Sequence, residues 1–245
     1  MASGEKAVRL PSEGEMFGND VENEVANYNL CPEKSTNANL GFNIGPYVFH
    51  KHSISVNSSM FYRDVKDMIR RAVSADSRDV ASFENLNSVM TYGFDAEILY
   101  KYSNLVQFNF NVSKFNALFN TEYDASGARY SYYKEQIRNE PSFKFSSGLT
   151  YFWNDAIKKK ARASIYYNTN YVGRFLRDWA GIGGTGLNWI PTQFVHDLGI
   201  AYTLPNRKTT IALDAKNILN TQIFDNFRIQ KPGRAFYAKI TYAIF

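Results

Sequence analysis

Few residues of this 245-residue chain are equipped for chemistry, and the densest group lies between 172 and 193: Arg174, Arg177, Trp179 and Trp189. A guanidinium forks onto carboxylates and phosphates and also stacks on indole faces, so this set suits an anionic or aromatic ligand. The same residues would equally suit a rim that packs on neighbouring loops. Inside that stretch GIGGTG, residues 181–186, has the glycine spacing of a dinucleotide-binding turn. That mechanism needs a strand before the glycines and a helix after them. Here Trp179 precedes, Trp189 and Pro191 follow, and the next segment alternates as a strand, so a flexible outer loop is the expectation. His50 and His52 would share one face of a strand and could reach a metal, yet no carboxylate or cysteine stands beside them, and they read as flanking a turn. His196 shares parity with Leu198 and Ile200. None of the three histidines falls in a long loop, which leaves this chain without an evident axial ligand for haem. The single Cys31 excludes an intramolecular disulfide and a cysteine-rich metal site. No nucleophile, base and orienting group stand together, so we expect no enzyme, no metal and no cofactor.

The elements that would carry these residues read as strands. Aromatics reach 16%, with Tyr 17 and Phe 19, and no apolar run is long enough for a transmembrane helix. About nine segments alternate with period two. In Thr91–Tyr102, Tyr92, Phe94, Ala96, Ile98, Tyr100 and Tyr102 face one way, with aromatics at both ends of an aliphatic middle. The pattern recurs in Phe143–Trp153 and Ala161–Tyr171, while Val106, Phe108, Phe110 and Val112 alternate with Gln107, Asn109, Asn111 and Ser113. Lys6–Leu10 looks like the end of one more strand, and the chain closes on KPGRAFYAKITYAIF. Joins around Gly45–Pro46, Ser103–Asn104, Asn154–Asp155 and Pro205–Asn206 are short and rich in turn formers; the stretches 63–90, 114–141, 172–193 and 219–234 are long. Short and long joins that alternate, with apolar bands edged by aromatics, predict an antiparallel up-and-down transmembrane β-barrel. About ten strands would make it a partial barrel of a larger one. Between 62 and 73 the apolar residues also fit a helical period, which leaves that stretch open by periodicity alone.

Parity then assigns faces. Asp95, Glu97, Arg162, Asp197, Asp214 and Lys216 fall on the polar side and should line the lumen. Basic residues are spread through the chain despite a net charge of +5, and Lys158–Lys160 sit in a turn, so nucleic acid is not an expected partner. The start, MASGEKAVRLPSEGE, lacks the apolar core of a secretory signal. Either the protein stays in the cytoplasm or this chain lacks its true beginning.

Several stretches resemble the carboxy-terminal half of the barrel of TonB-dependent outer-membrane receptors: RLPSEGEMFG, NYNLCPEKSTNANLGF, MFYRDVKDMI, TYGFDAEILY, LDAKNILN and KPGRAFYAKITY, in that order across nearly the whole chain. The resemblance implies that residues 62–73 are strand and that residues 1–245 form one barrel portion, without the family's plug domain, signal peptide or first half of the barrel. It implies an outer-membrane location, with the lipid bilayer, the TonB complex, the barrel-assembly machinery and a possible surface lipoprotein as partners. The intact protein would bind a scarce ligand (a siderophore, haem, cobalamin or glycan-like molecule) and import it with energy from TonB. Phe236, Ile240, Tyr242, Ile244 and Phe245 would form the terminal strand read during assembly. In this chain Ile244 holds the lipid-facing parity where the family carries an aromatic, and Tyr28 stands where a proline is frequent. The alternative is a small self-closed barrel acting as a passive pore or adhesin.

Overall fold

The computed structural model describes residues 1–73, 81–124, 126–177, 189–225 and 229–244. In chain order the elements are β1 (Ala2–Arg9), the short helix α1 (Glu13–Phe17) with a 3-10 turn (Asp20–Glu22), β2 (Glu33–Phe49), β3 (His52–Val73), β4 (Ala81–Tyr102), β5 (Val106–Phe119), β6 (Phe143–Asn154), β7 (Arg162–Val172), β8 (Phe175–Leu176), β9 (Trp189–Ile190), β10 (Gln193–Thr203), β11 (Thr209–Lys216) and β12 (Ala235–Tyr242). Ten of them form a single sheet in the order β1-β2-β3-β4-β5-β6-β7-β10-β11-β12, and β8 pairs only with β9. Every pairing in the large sheet is antiparallel between chain neighbours, an up-and-down meander. It is not closed: β1 and β12 are its two edges and do not pair with each other, so the self-closed small barrel is not what forms.

Period-two alternation puts one residue in two on each face, and the register carries each face across strand boundaries. Leu40 lies opposite Met60, which lies opposite Phe94. Further along, Ile165 faces Ile200 and Ile200 faces Leu213. These side chains have no protein over them: Leu149 and Ile200 are each 46% exposed and Leu213 54%. An apolar band that continuous is untenable in water but suits contact with lipid chains. On the opposite face the register aligns Asn43, Asn57, Glu97, Asn111, Ser146 and Asn170 in one row across six strands. A cavity of about 900 Å³ lies against that row and is lined from β2 through β7, which only the concave side of a curved sheet allows. The sheet is therefore polar inside its curve and apolar outside.

Joins of two kinds divide the ends. Segments 50–51, 103–105, 155–161 and 204–208 connect strands at one end; 10–32, 120–142, 173–192 and 217–234 do so at the other, together with the join that follows β3. Two expectations need correction. Gly45–Pro46 is not a join: it lies inside β2, where the pairing with β3 slips between Ile44 and Tyr47. Proline has no N–H to give the ladder, and a bulge absorbs it. Gly45 sits at φ 99, and a Cβ there would come within 2.6 Å of the Ile54 carbonyl, so glycine is required. The turn itself is at His50–Lys51, five residues on, with His50 at φ 53. Likewise 63–90 is mostly strand: β3 and β4 run 22 residues each, and the first strand is the whole of Ala2–Arg9. Crossing hydrocarbon takes about 9–11 residues of tilted strand, so the β3–β4 hairpin stands well clear of it. The helical period over 62–73 is overridden by the ladder, with Arg63 opposite Thr91 and Arg71 opposite Phe83.

Among the described residues, the buried hydrophobic cluster lies at the long-join end. Leu86, Val89, Ala117, Phe119 and Ile137 form a buried cluster, covered by Met68, Phe115, Tyr130 and Tyr132. It exists because 120–142 folds back onto β5, with the Ile137 N–H donating to the Ala117 carbonyl at 2.7 Å and the Lys134 N–H to Phe119 at 2.8 Å. Elsewhere among the described residues the single sheet has no second layer to bury against.

The two faces make a direct test. Leu149 and Thr150 are adjacent in β6 but point to opposite sides. In phospholipid vesicles, Leu149→Lys should destabilise the inserted protein by about 2–4 kcal/mol, as for a charge on the lipid face near the bilayer centre. Thr150→Lys should cost well under half of that. Urea unfolding of both variants in the same vesicles measures the difference, and equal losses would contradict the assignment of faces.

Candidate functional site at the long-join end

Where β6, β7 and β10 reach the long-join end, their inner faces carry Lys144, Val172 and Gln193 in one cross-strand row and Asn170 beside Val195 in the next. A cavity of about 560 Å³ opens on these residues. Three segments roof it: 139–141, Phe175 at the start of β8, and 223–225 with Lys231. Each is held by specific bonds. Asn139 adopts a left-handed φ of 58, and its N–H donates to the Leu176 carbonyl at 2.7 Å, which ties the 120–142 join to β8. Gln193, 5% exposed, accepts the Phe224 N–H on its side-chain oxygen at 3.0 Å.

The approach of 217–234 to the cavity is set by the stretch LDAKNILN. Asp197 on β10 accepts Lys216 Nζ at 3.0 Å and the Asn217 N–H at 2.8 Å. Asn217, left-handed and 3% exposed, then bonds Thr221 both ways, accepting its N–H at 2.9 Å and donating to its carbonyl at 2.8 Å. Asparagine suits a left-handed turn because its short amide satisfies the local backbone. Asn220, also left-handed, accepts the Arg234 N–H at 3.0 Å, closing the base of the loop. One carboxylate and two asparagines thus aim the segment that carries Phe224 and Lys231.

Ion pairs fasten the neighbouring joins to the projecting hairpin. Arg70 on β3 pairs with Glu140 at 2.9 Å and donates to the Arg138 carbonyl at 2.8 Å; Arg138 in turn pairs with Glu84 on β4. Arg71 meets Glu24 of the 10–32 join at 2.5 Å. In the same join α1 is capped by Ser12, and Arg9 bridges Glu15 at 2.9 Å and Glu33 at 2.8 Å. Burial pushes the Glu15 carboxyl up, but the Arg9 guanidinium and the Ser12 N–H and hydroxyl outweigh it and hold it below the ordinary carboxylate range.

The residues singled out by sequence are dispersed over this frame. Arg174 does stack on Trp189, its guanidinium 4.8 Å from the ring, across the β8–β9 ladder. Arg177 is half-buried two residues from Phe175, outside the cavity lining; Trp179 and GIGGTG lie outside the described residues. Asp95 and Glu97 line the larger cavity, with Asn57 donating to Glu97 at 2.9 Å. Asp197, Lys216 and Asp214 belong to the β7–β10–β11 network, in which the Tyr166 hydroxyl donates to Asp214. Arg162 sits at the short-join end over the Phe152 ring at 4.2 Å. All six share the polar face. Phe236, Ile240, Tyr242 and Ile244 are exposed along the β12 edge, and Phe245 lies outside the described residues. His52 meets the Tyr100 hydroxyl at 2.8 Å and His196 the Tyr167 hydroxyl at 2.6 Å. No group of His, Cys, Asp or Glu able to hold a metal occurs among the described residues. The cavity residues Asn139, Lys144, Asn170, Gln193 and Lys231 were missed. Parity marks Lys144, Asn170 and Gln193 as inward, but their convergence needs the register of three strands and the fold of two joins.

The profile of the TonB dependent receptor-like β-barrel family matches residues 2–218. Several solved structures superpose on the chain. The copper transporter OprC does so with TM-score 0.67 and 17% identity over 98% of this chain and 36% of its own. For the FrpB iron transporter from Neisseria meningitidis the values are 0.66, 16%, 98% and 36%, and for the siderophore receptor PirA from Acinetobacter baumannii 0.60, 17%, 98% and 38%. No curated protein sequence matches. Fold, faces and joins thus define a portion of an outer-membrane-type barrel. The chain belongs to the TonB-dependent receptor-like β-barrel family, whose members are receptors and transporters, and it spans a little over a third of the length of those structures.

The Glu15 contacts carry a pH dependence. A carboxyl whose folded pKa is depressed stabilises fully above its unfolded pKa, and the contribution is lost as pH falls through the folded value. Docking of 10–18 should hold at pH 7 and pH 5 and weaken below about pH 4. Hydrogen exchange at the Met16 N–H, which donates to Ser12, reports it. Glu15→Gln should remove the pH dependence and leave the segment looser throughout.

Proposed function

We propose that this chain is the barrel portion through which an outer-membrane receptor captures a scarce ligand at its long-join end, the intact protein importing that ligand with energy transmitted by TonB. The family match over residues 2–218 carries the reading. The uncovered apolar band, the polar concave face and a cavity among the long joins support it: lipid outside, solvated lumen inside, ligand at the mouth. Asp95, Glu97, Arg162, Asp197, Asp214 and Lys216 then face the lumen. In lipid the β12 edge would be the strand offered to the assembly machinery, and the long joins would be the surface open to a lipoprotein partner. The similar structures are named as transporters of copper and iron and as a siderophore receptor. A metal or its chelate is accordingly the cargo class we favour, and the reading assigns no catalysis.

Fractionation of cells that make the protein tests the location. The chain should sediment with outer membranes, resist extraction by high salt and carbonate, and be released only by detergent. Recovery in the soluble fraction would overturn the proposal.

A further inference from the structure

The roofed cavity between 139–141, Phe175, 223–225 and Lys231 has a chemical bias that narrows its ligand, on the reading that the chain is a receptor. Two carboxylates and two lysines line it, and they are not equivalent. Glu140 is engaged by Arg70 at 2.9 Å, and Asp225 accepts the Ile229 N–H at 2.8 Å. Neither Lys144 nor Lys231 has a carboxylate within ion-pair distance among the described residues; Lys144 Nζ lies 6.0 Å from the centroid of the Phe115 ring. The cations are thus the free charges of the cavity. Two side-chain polar atoms at the opening also lack partners. The Gln193 side chain uses its oxygen on Phe224, and its amide nitrogen meets no acceptor among the described residues. The Asn139 side-chain oxygen is buried with no donor. A buried polar atom in a folded protein nearly always has a partner, so the unfilled Asn139 acceptor, with the Gln193 amide and two ammonium groups free of carboxylates beside it, outlines what should arrive. Phe175 and Phe224 supply apolar walls at the same opening.

We infer that this cavity binds an anionic ligand with an aromatic body and at least one hydroxyl: the anion meets Lys144, Lys231 and the Gln193 amide, the hydroxyl donates to Asn139, and the ring lies between Phe175 and Phe224. Arg174 on its Trp189 ring is a third cation, next in sequence to Phe175, and would widen the same preference.

The test uses the full chain folded in detergent micelles and three probes followed by NMR: 3-fluoro-4-hydroxybenzoate, 3-fluorobenzyl alcohol and inorganic phosphate. The hydroxybenzoate should bind with at least tenfold higher affinity than either of the others. Lys144→Met should reduce its binding about tenfold, the loss typical of one charge-assisted hydrogen bond, while Lys144→Arg should restore most of it. Lys231→Met, in an exposed loop where folding is not at stake, should weaken binding severalfold. Equal affinity for the neutral alcohol would overturn the anionic class, and equal affinity for phosphate would overturn the aromatic one. Unchanged hydroxybenzoate binding in both methionine variants, each with the parent β-sheet circular dichroism, would remove the ligand from this cavity. These outcomes are independent of where the protein resides in cells, so failure here leaves the receptor reading standing, and failure of fractionation leaves the cavity chemistry to be judged on its own.

Discussion

Backbone hydrogen bonding is the constraint on which everything else in this molecule depends. In hydrocarbon an unpaired N–H or C=O costs several kcal/mol, and no water is present to relieve it. The continuous antiparallel ladder from β1 to β12 meets that demand for every interior strand. Once the ladder is fixed, side chains have only two directions available, and the sequence assigns lipid to one and water to the other. A slip of one residue in any pairing would reverse both faces of a strand. Leu149 would then point inward and Thr150 outward, at a cost no neighbouring contact could offset. Register in this sheet is consequently set by solvation, without a packed core.

That explains what could be read from the sequence. Period-two alternation identified the strands and their two faces, because those properties follow from each strand alone. Where the ladder competes with local preference, single-strand reasoning erred. Gly45–Pro46 has the composition of a turn, yet its neighbours on β3 continue the pairing beyond it, and a bulge is less costly than abandoning three further paired positions. The stretch 62–73 has a helical period, yet its partners 81–92 stand ready on β4, and its resemblance to a family strand proved the better guide.

The candidate site was less legible for a different reason. Arg174 and Trp189 were visible as an unusual pair and do stack. The cavity itself is assembled by residues unremarkable in isolation. Lys144, Asn170 and Gln193 come from three strands separated by joins of different lengths, and the roof comes from three further segments. No local pattern encodes that Asn139 turns left-handed to reach Leu176, or that Asp197 gathers Lys216 and Asn217 to aim the loop bearing Phe224. The resemblance supplied LDAKNILN as a motif, and the structure gives its physical content: one carboxylate and two asparagines that fix the direction of a loop.

The same constraint bears on the two edges. β1 and β12 each pair on one side, leaving a row of backbone groups unsatisfied, and the side chains along both are exposed. In water such edges invite association with any available strand; in lipid they must be paired. The similar structures, of which this chain matches a little over a third, are long enough to supply further strands. The cavity end is arranged differently. There the joins are tied by ion pairs and buried amides to β3, β4 and β10, well inside the sheet, and none of the cavity's lining comes from β1 or β12. Binding chemistry at the mouth therefore depends on the interior strands, which already have both neighbours, while the unfinished edges lie outside its supports.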